Sequence, residues 1–199
     1  MIEKIDRKNV ESKCSDALQE LGFTTRRGVG TLNVDDDFYY WVGLNAGVHT
    51  GFVRVNPFVG VHSKNIMRIT SEAKGEKYKP LEVATFAVFL GDLAPNTPQF
   101  IFHNEGDVSV EAGRLAVAIK ELAIPFMKNI CNYESLLPCL KRRVPMLGGY
   151  PQRYAAALYL NGDRAGAIDF VESYLADTAN SEIDVLDGLK NLKARFLAG

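Results

Sequence analysis

The sequence predicts a segregated α+β fold: an antiparallel sheet of about five strands behind an N-terminal helix, followed by an all-helical C-terminal portion. Two observations predict it. Most of Phe23 to His103 alternates in hydropathy, or runs apolar in short stretches between turn residues, whereas nearly everything after Asp107 repeats its apolar positions every three or four residues. A third bounds the size: 199 residues with 47% apolar content fill one core, read as an α+β domain over 1–144 with a helical extension, 145–199, packed on it.

The first element is a helix from Asp6 to Leu21, because Val10, Cys14, Ala17, Leu18 and Leu21 fall on one face and Gly22 follows as a left-handed cap. Three strand-like segments come next, Gly28 to Val34, Phe38 to Ala46 and Phe52 to Val61, joined as a meander by Asp35-Asp36-Asp37 and by Gly47 to Gly51. Pro57 interrupts the third and marks an edge or a bulge. Ser63 then caps a short helix carrying Ile66, Ile69 and Ala73 that Gly75 ends. Val83 to Leu90 reads as a strand covered on both faces, and Gln99 to His103 as a shorter one beyond the Pro95 to Pro98 turn.

Leu115, Ile119, Leu122 and Phe126 form the buried stripe of the next helix, which Pro125 interrupts or kinks, and a further helix runs from Phe126 towards Arg143. Pro145, Gly148, Gly149 and Pro151 mark a linker. Beyond it, Tyr154 to Leu160 and Ala165 to Leu175 form a helical hairpin around Asn161-Gly162-Asp163, with alanines allowing close approach and Asp163 as a cap. That stretch is similar to half of a tetratricopeptide unit, but it occurs once, and such repeats bury their faces only in arrays. The last helix carries Asp184 and Asp187 early and Lys190, Lys193 and Arg195 late, matching the helix dipole, and docks through Val185, Leu189, Leu192 and Phe196.

A formal charge of -1 gives no general attraction to nucleic acid or anionic lipid. Of the compact basic groups, Arg26-Arg27 begins a strand without an aromatic stacking platform and Lys141-Arg142-Arg143 lies at a helix end where cations complement the dipole, so both read as solvated faces. Cys14, Cys131 and Cys139 are odd in number and far apart, which predicts reduced thiols in the cytoplasm. The segment Met1 to Lys8 lacks the apolar centre of a signal peptide, and no run reaches bilayer-spanning length.

Candidate chemistry is sparse. His49, His62 and His103 can be imagined meeting across the sheet, but none has a second ligand at helical spacing, so no metal site is expected. Gly28-Val29-Gly30 lacks the third glycine of a phosphate loop and reads as a strand entry. Cys14 lies on the inner face of its helix and reads as a core thiol, and no nucleophile elbow is present. Neither a catalytic residue nor a cofactor is expected. Asp35, Asp36 and Asp37 read first as a solvated turn. Followed by Phe38-Tyr39-Tyr40-Trp41, they also make an acidic edge with aromatic anchors, which suits a protein partner with a basic surface.

A resemblance enters through the leading helix with Leu21-Gly22-Phe23, then Tyr40-Trp41-Val42-Gly43-Leu44, Val55-Asn56-Pro57-Phe58-Val59-Gly60-Val61-His62, Leu90-Gly91-Asp92-Leu93-Ala94-Pro95 and Ile124-Pro125-Phe126-Met127. Over roughly residues 6–140 this succession resembles bacterial α+β proteins that include immunity proteins of toxin systems used in interbacterial competition. The resemblance implies a cytoplasmic antitoxin that binds one cognate toxin domain and occludes its active site, and it brings no catalytic residues. The expected contact residues are Asp35, Asp36, Asp37, Tyr39 and Tyr40. The alternative is a small-molecule-binding protein or enzyme with a pocket between sheet and helices, using His62, His103 and Arg54. A third reading is an adaptor gripping a peptide in a groove over Tyr154 to Tyr174.

Overall fold

The structure, a computed structural model, describes residues 6–95, 99–103, 106–146, 149–177 and 183–198. It is an α+β fold with antiparallel sheets, an N-terminal helix and a helical C-terminal portion. The chain divides into two compact units, residues 1–61 with 87–129 and residues 62–86 with 130–199. The sequence boundary at residue 144 falls inside the second.

The first unit opens with α1 (Arg7–Glu20). Asp6 caps it by accepting the Lys8 N–H, Val10, Cys14, Ala17 and Leu18 are buried, and Gly22 turns the chain at a φ of 89°. Then follow β1 (Thr24–Arg26), β2 (Val29–Asn33), β3 (Phe38–Gly43), β4 (Ala46–His49), β5 (Phe52–Val55) and β6 (Phe58–Ser63). Gly28-Val29-Gly30 begins at a tight turn: Arg27 and Gly28 both have positive φ, and Arg26 pairs with Val29, so β1 and β2 are a two-residue hairpin.

The expected sheet of five strands is present, and a second sheet of three takes strand segments that the sequence pattern joins to it. One has the order β1-β2-β3-β6-β7, with β7 at Phe86–Phe89, and the other has the order β4-β5-β8, with β8 at Phe100–His103. The expected strand Phe38 to Ala46 stops at Gly43, where Asn45 turns at a φ of 47°, and the expected strand Phe52 to Val61 splits at Pro57. The chain changes sheet twice at one level, after β3 and after β5, where the Asn56 N–H donates to the Asn45 carbonyl at 3.3 Å. Proline has no N–H to continue a ladder, and strands that change sheets do so at such interruptions. The expected strand Val83 to Leu90 shortens likewise, since Leu90 opens a single helical turn, α3 (Leu90–Leu93), and donates its N–H to the Pro57 carbonyl at 2.9 Å. At β8, Glu111 accepts the Ile101 N–H at 3.1 Å, filling an edge position of the ladder.

The helix after Asp107 departs instructively from its expected stripe. It runs as α4 (Val108–Ala118), a π-helical segment (Ile119–Ala123) and α5 (Ile124–Asn129). Leu115 and Ile119 are fully buried as expected, but Ala123 and Met127 take the places assigned to Leu122 and Phe126, which are half-buried. A π turn inserts one residue into the repeat and moves the apolar stripe forward by one. Pro125, with no N–H to donate, follows immediately. The helix expected from Phe126 to Arg143 is likewise two, because Asn132 breaks it and caps α6 (Tyr133–Arg143) by accepting the Ser135 N–H at 2.9 Å.

In the second unit Ser63 caps α2 (Lys64–Ala73) through the Ile66 N–H, and Gly75 follows at a φ of 69°. α7 (Pro151–Leu160) packs against α2, α6, α8 (Arg164–Asp177) and α9 (Ile183–Ala198). Ala155, Ala156 and Ala157 are fully buried, and their small side chains permit this crowding. Asp163 caps α8 through the Gly166 N–H at 2.9 Å, and Leu189, Leu192 and Phe196 of α9 are fully buried. Tyr159 stacks on Phe196 with ring centroids 4.5 Å apart. Gly148 of the Pro145 to Pro151 stretch lies outside the described residues.

Candidate functional site

The acidic tract sits at the tip of the β2–β3 hairpin, beyond the Asn33–Tyr39 pair. Asp35 folds it: Oδ1 accepts the Asp37 N–H at 2.8 Å and the Phe38 N–H at 2.6 Å, while the Val34 N–H donates to the Phe38 carbonyl at 3.1 Å. Asp35 and Asp36 are exposed and Asp37 half-buried, beside the exposed Val34. Of the following rings, Phe38 and Trp41 are buried, whereas Tyr39 and Tyr40 are half-buried on opposite faces. Trp41 lies across Gly43, where a Cβ would meet the indole at 2.5 Å, so β3 is covered on both faces at that end, and only Tyr39 and Tyr40 in it are half-buried. The basic pair Arg26-Arg27 lies at the other end of β2, so the two turns of this meander carry opposite charge.

The structure brings two of the three histidines near one another. Phe52 pairs with His49 on one side and His103 on the other, with ring centroids 4.7 and 6.0 Å away. Arg54 stands beside them, its Cζ 5.8 Å from the Phe52 ring and its Nε buried without a hydrogen-bond partner among the described residues. His62 is not part of that group, because the change of sheet at Pro57 carries it onto β6. No group of three or more His, Cys, Asp or Glu is placed to hold a metal ion among the described residues.

His62 instead anchors a loop. It is fully buried, its Nδ1 lies 2.7 Å from the Val83 carbonyl and its Nε2 3.0 Å from the Tyr78 hydroxyl. A carbonyl only accepts, so Nδ1 carries the proton, and in the neutral ring Nε2 accepts from Tyr78. One imidazole therefore ties down two points of the segment after α2.

That segment forms a wall of a cavity of about 540 Å³ contained in the second unit. Lys74, Lys77, Lys79 and Arg153 line it against two carboxylates, Glu76 and Glu82, and Tyr78 and Tyr150 supply rings. Lys79 and Glu82 are 3.9 Å apart and largely exposed, so their pairing is weak. Arg153, on the first turn of α7, lies with Cζ 3.7 Å from the Tyr150 ring centroid, and its Nη1 donates to the Thr85 and Ala84 carbonyls at 2.8 and 3.0 Å. No carboxylate pairs with it among the described residues. Burial pushes its guanidinium down to about 10.

No family model, curated protein or solved structure matches this chain.

The cavity was missed from sequence because its walls come from residues 67–83 and 150–153, which local patterning cannot bring together. None of His62, His103 and Arg54 lines this cavity, and His103 lines a separate one with Asp107 and Glu111. The helical hairpin buries Ala155, Ala156, Ala157, Ala167 and Val171, while Tyr154, Leu158, Gly166 and Phe170 line a shallow groove on it. Cys14 is fully buried, and burial first, then the nearby Glu11 and Glu111 charges, push its thiol up to about 12, as suits a core side chain and not a nucleophile. Among the described residues no helix is long and apolar enough to cross a membrane.

Proposed function

We propose that this chain is a binding protein of the immunity class, acting in the cytoplasm by covering the active site of a cognate bacterial toxin domain. The observation that carries the reading is the acidic hairpin tip, folded by its own Asp35 side chain and flanked by half-buried Tyr39 and Tyr40. A preformed turn loses little conformational freedom on docking, clustered carboxylates accelerate encounter with a basic surface, and partly exposed tyrosines supply apolar area once water is excluded. The resemblance of residues 6–140 to immunity proteins points the same way.

The roles within the tip differ. Asp35 holds the backbone, while Asp36 and Asp37 present charge to the partner. Co-expression with the product of the adjacent upstream gene tests the class: growth is rescued and the two proteins co-purify. Loss of rescue in Asp36→Lys/Asp37→Lys, with folding intact, places the contact at the tip. Failure of every neighbouring product to be neutralised would remove the reading.

A further inference from the structure

The cavity of the second unit presents an electrostatic imbalance that its own residues leave standing. Arg153 is held at one wall by Tyr150 and by the carbonyls of residues 84 and 85, which together fix the guanidinium plane. Carbonyl dipoles and a ring face hold this half-buried cation without neutralising it, and a cation partly stripped of water gains from an anion beside it. Both carbonyl bonds use Nη1, which leaves Nη2 and Nε for a further acceptor. Lys74, Lys77 and Lys79 add positive charge around the same space. The volume of about 540 Å³ is that of a small-molecule site, and Tyr78, pinned from behind by His62, faces it with a fixed ring.

We propose that this cavity binds a small oxyanion-bearing molecule, its carboxylate or phosphate group seated on Arg153 and its apolar part against Tyr78 and Tyr150. The guanidinium offers the fork geometry that planar oxyanions accept, and the lysines act as less directional charges that draw the ligand in. Binding is therefore salt-sensitive and depends more on Arg153 than on any one lysine. The site is independent of the hairpin tip.

Titration calorimetry with inorganic phosphate, phenyl phosphate and benzoate tests it, on the full chain and on Arg153→Gln and Lys77→Gln. The intact chain is expected to bind phenyl phosphate or benzoate more tightly than inorganic phosphate. Preference between the two aromatic probes tells a phosphate ligand from a carboxylate. A charge-assisted bond is worth enough that Arg153→Gln lowers affinity about tenfold or more, and Lys77→Gln by less. Because Arg153→Gln also alters two bonds to the chain, the Arg153 Nε–H resonance of the intact protein is followed in parallel, and it shifts on saturation. Absence of saturable binding of all three probes at about 10 mM, a level far weaker than a functional site, overturns the proposal. So does an Arg153 resonance that stays put while a probe binds, or undiminished affinity in folded Arg153→Gln.

Discussion

Cys14 makes the stability of the first unit respond to alkali in a way that can be calculated. Its thiol is fully buried between α1 and its neighbours, and its titration point is pushed from 9.0 to about 12. A raised folded value means that the native state keeps its proton where the unfolded chain loses it, so stability is intact below pH 9 and falls as pH rises from there towards 12. The slope approaches about 1.4 kcal/mol per pH unit, and the loss from pH 8 to pH 10.5 is about 2 kcal/mol. That figure depends on the unfolded value and only weakly on the native one, provided the latter stays well above pH 10.5. Cys14→Ala removes the titrating group and leaves a small void costing about 1 kcal/mol at every pH. Urea unfolding of both proteins from pH 8 to 10.5 should show the intact chain losing its initial advantage and becoming the less stable of the two. Lysines, tyrosines and the other thiols titrate alike in both, so the difference isolates Cys14. Equal losses in the two proteins would refute a buried, protonated thiol at this position.

The π turn gives a second test: Met127→Ala should cost about 2–5 kcal/mol in urea unfolding and Phe126→Ala distinctly less, whereas the reverse order would restore the unshifted helical stripe. For the loop anchor, His62→Ala should lose about 2–4 kcal/mol through two missing bonds and a cavity, and amide exchange at residues 76–83 should accelerate more than in α7. Uniform acceleration throughout the second unit would deny His62 its local role.

The parts of the fold that the sequence made legible are those settled by neighbours in the chain. α1 was readable because Val10, Cys14, Ala17 and Leu18 share a face between Asp6 and Gly22, and α2 because Ser63 and Gly75 bracket its apolar positions. The α7–α8 hairpin followed from Asp163 and the alanine run. What escaped depends on distant partners. Pro57 announced an interruption, but nothing local says that the strand resumes in another sheet. Pro125 announced a disturbance, but not that a π turn would exchange Leu122 and Phe126 for Ala123 and Met127 in the core. The assembly of residues 62–86 with 130–199 into one unit has no local signature either, and the cavity lined by Lys74 and Arg153 depends on it.

The hairpin tip was legible as a turn with charge and rings, and the structure adds the side-chain bonds that fold it. Asp35 spends its carboxylate on the Asp37 and Phe38 N–H groups, so replacing all three acids at once would confound a lost turn with a lost contact. Reversing Asp36 and Asp37 leaves the Asp35 carboxylate in place on those two N–H groups.

The most direct measurement is therefore the association rate and affinity between this chain and the purified product of the adjacent upstream gene, the toxin proposed as its partner, for the intact protein and for Asp36→Lys/Asp37→Lys, at low and at physiological salt. Binding through an acidic tip predicts a complex whose association slows about tenfold or more with the double charge reversal, and more at low salt than at high. An association rate indifferent to both the reversal and the salt would contradict it.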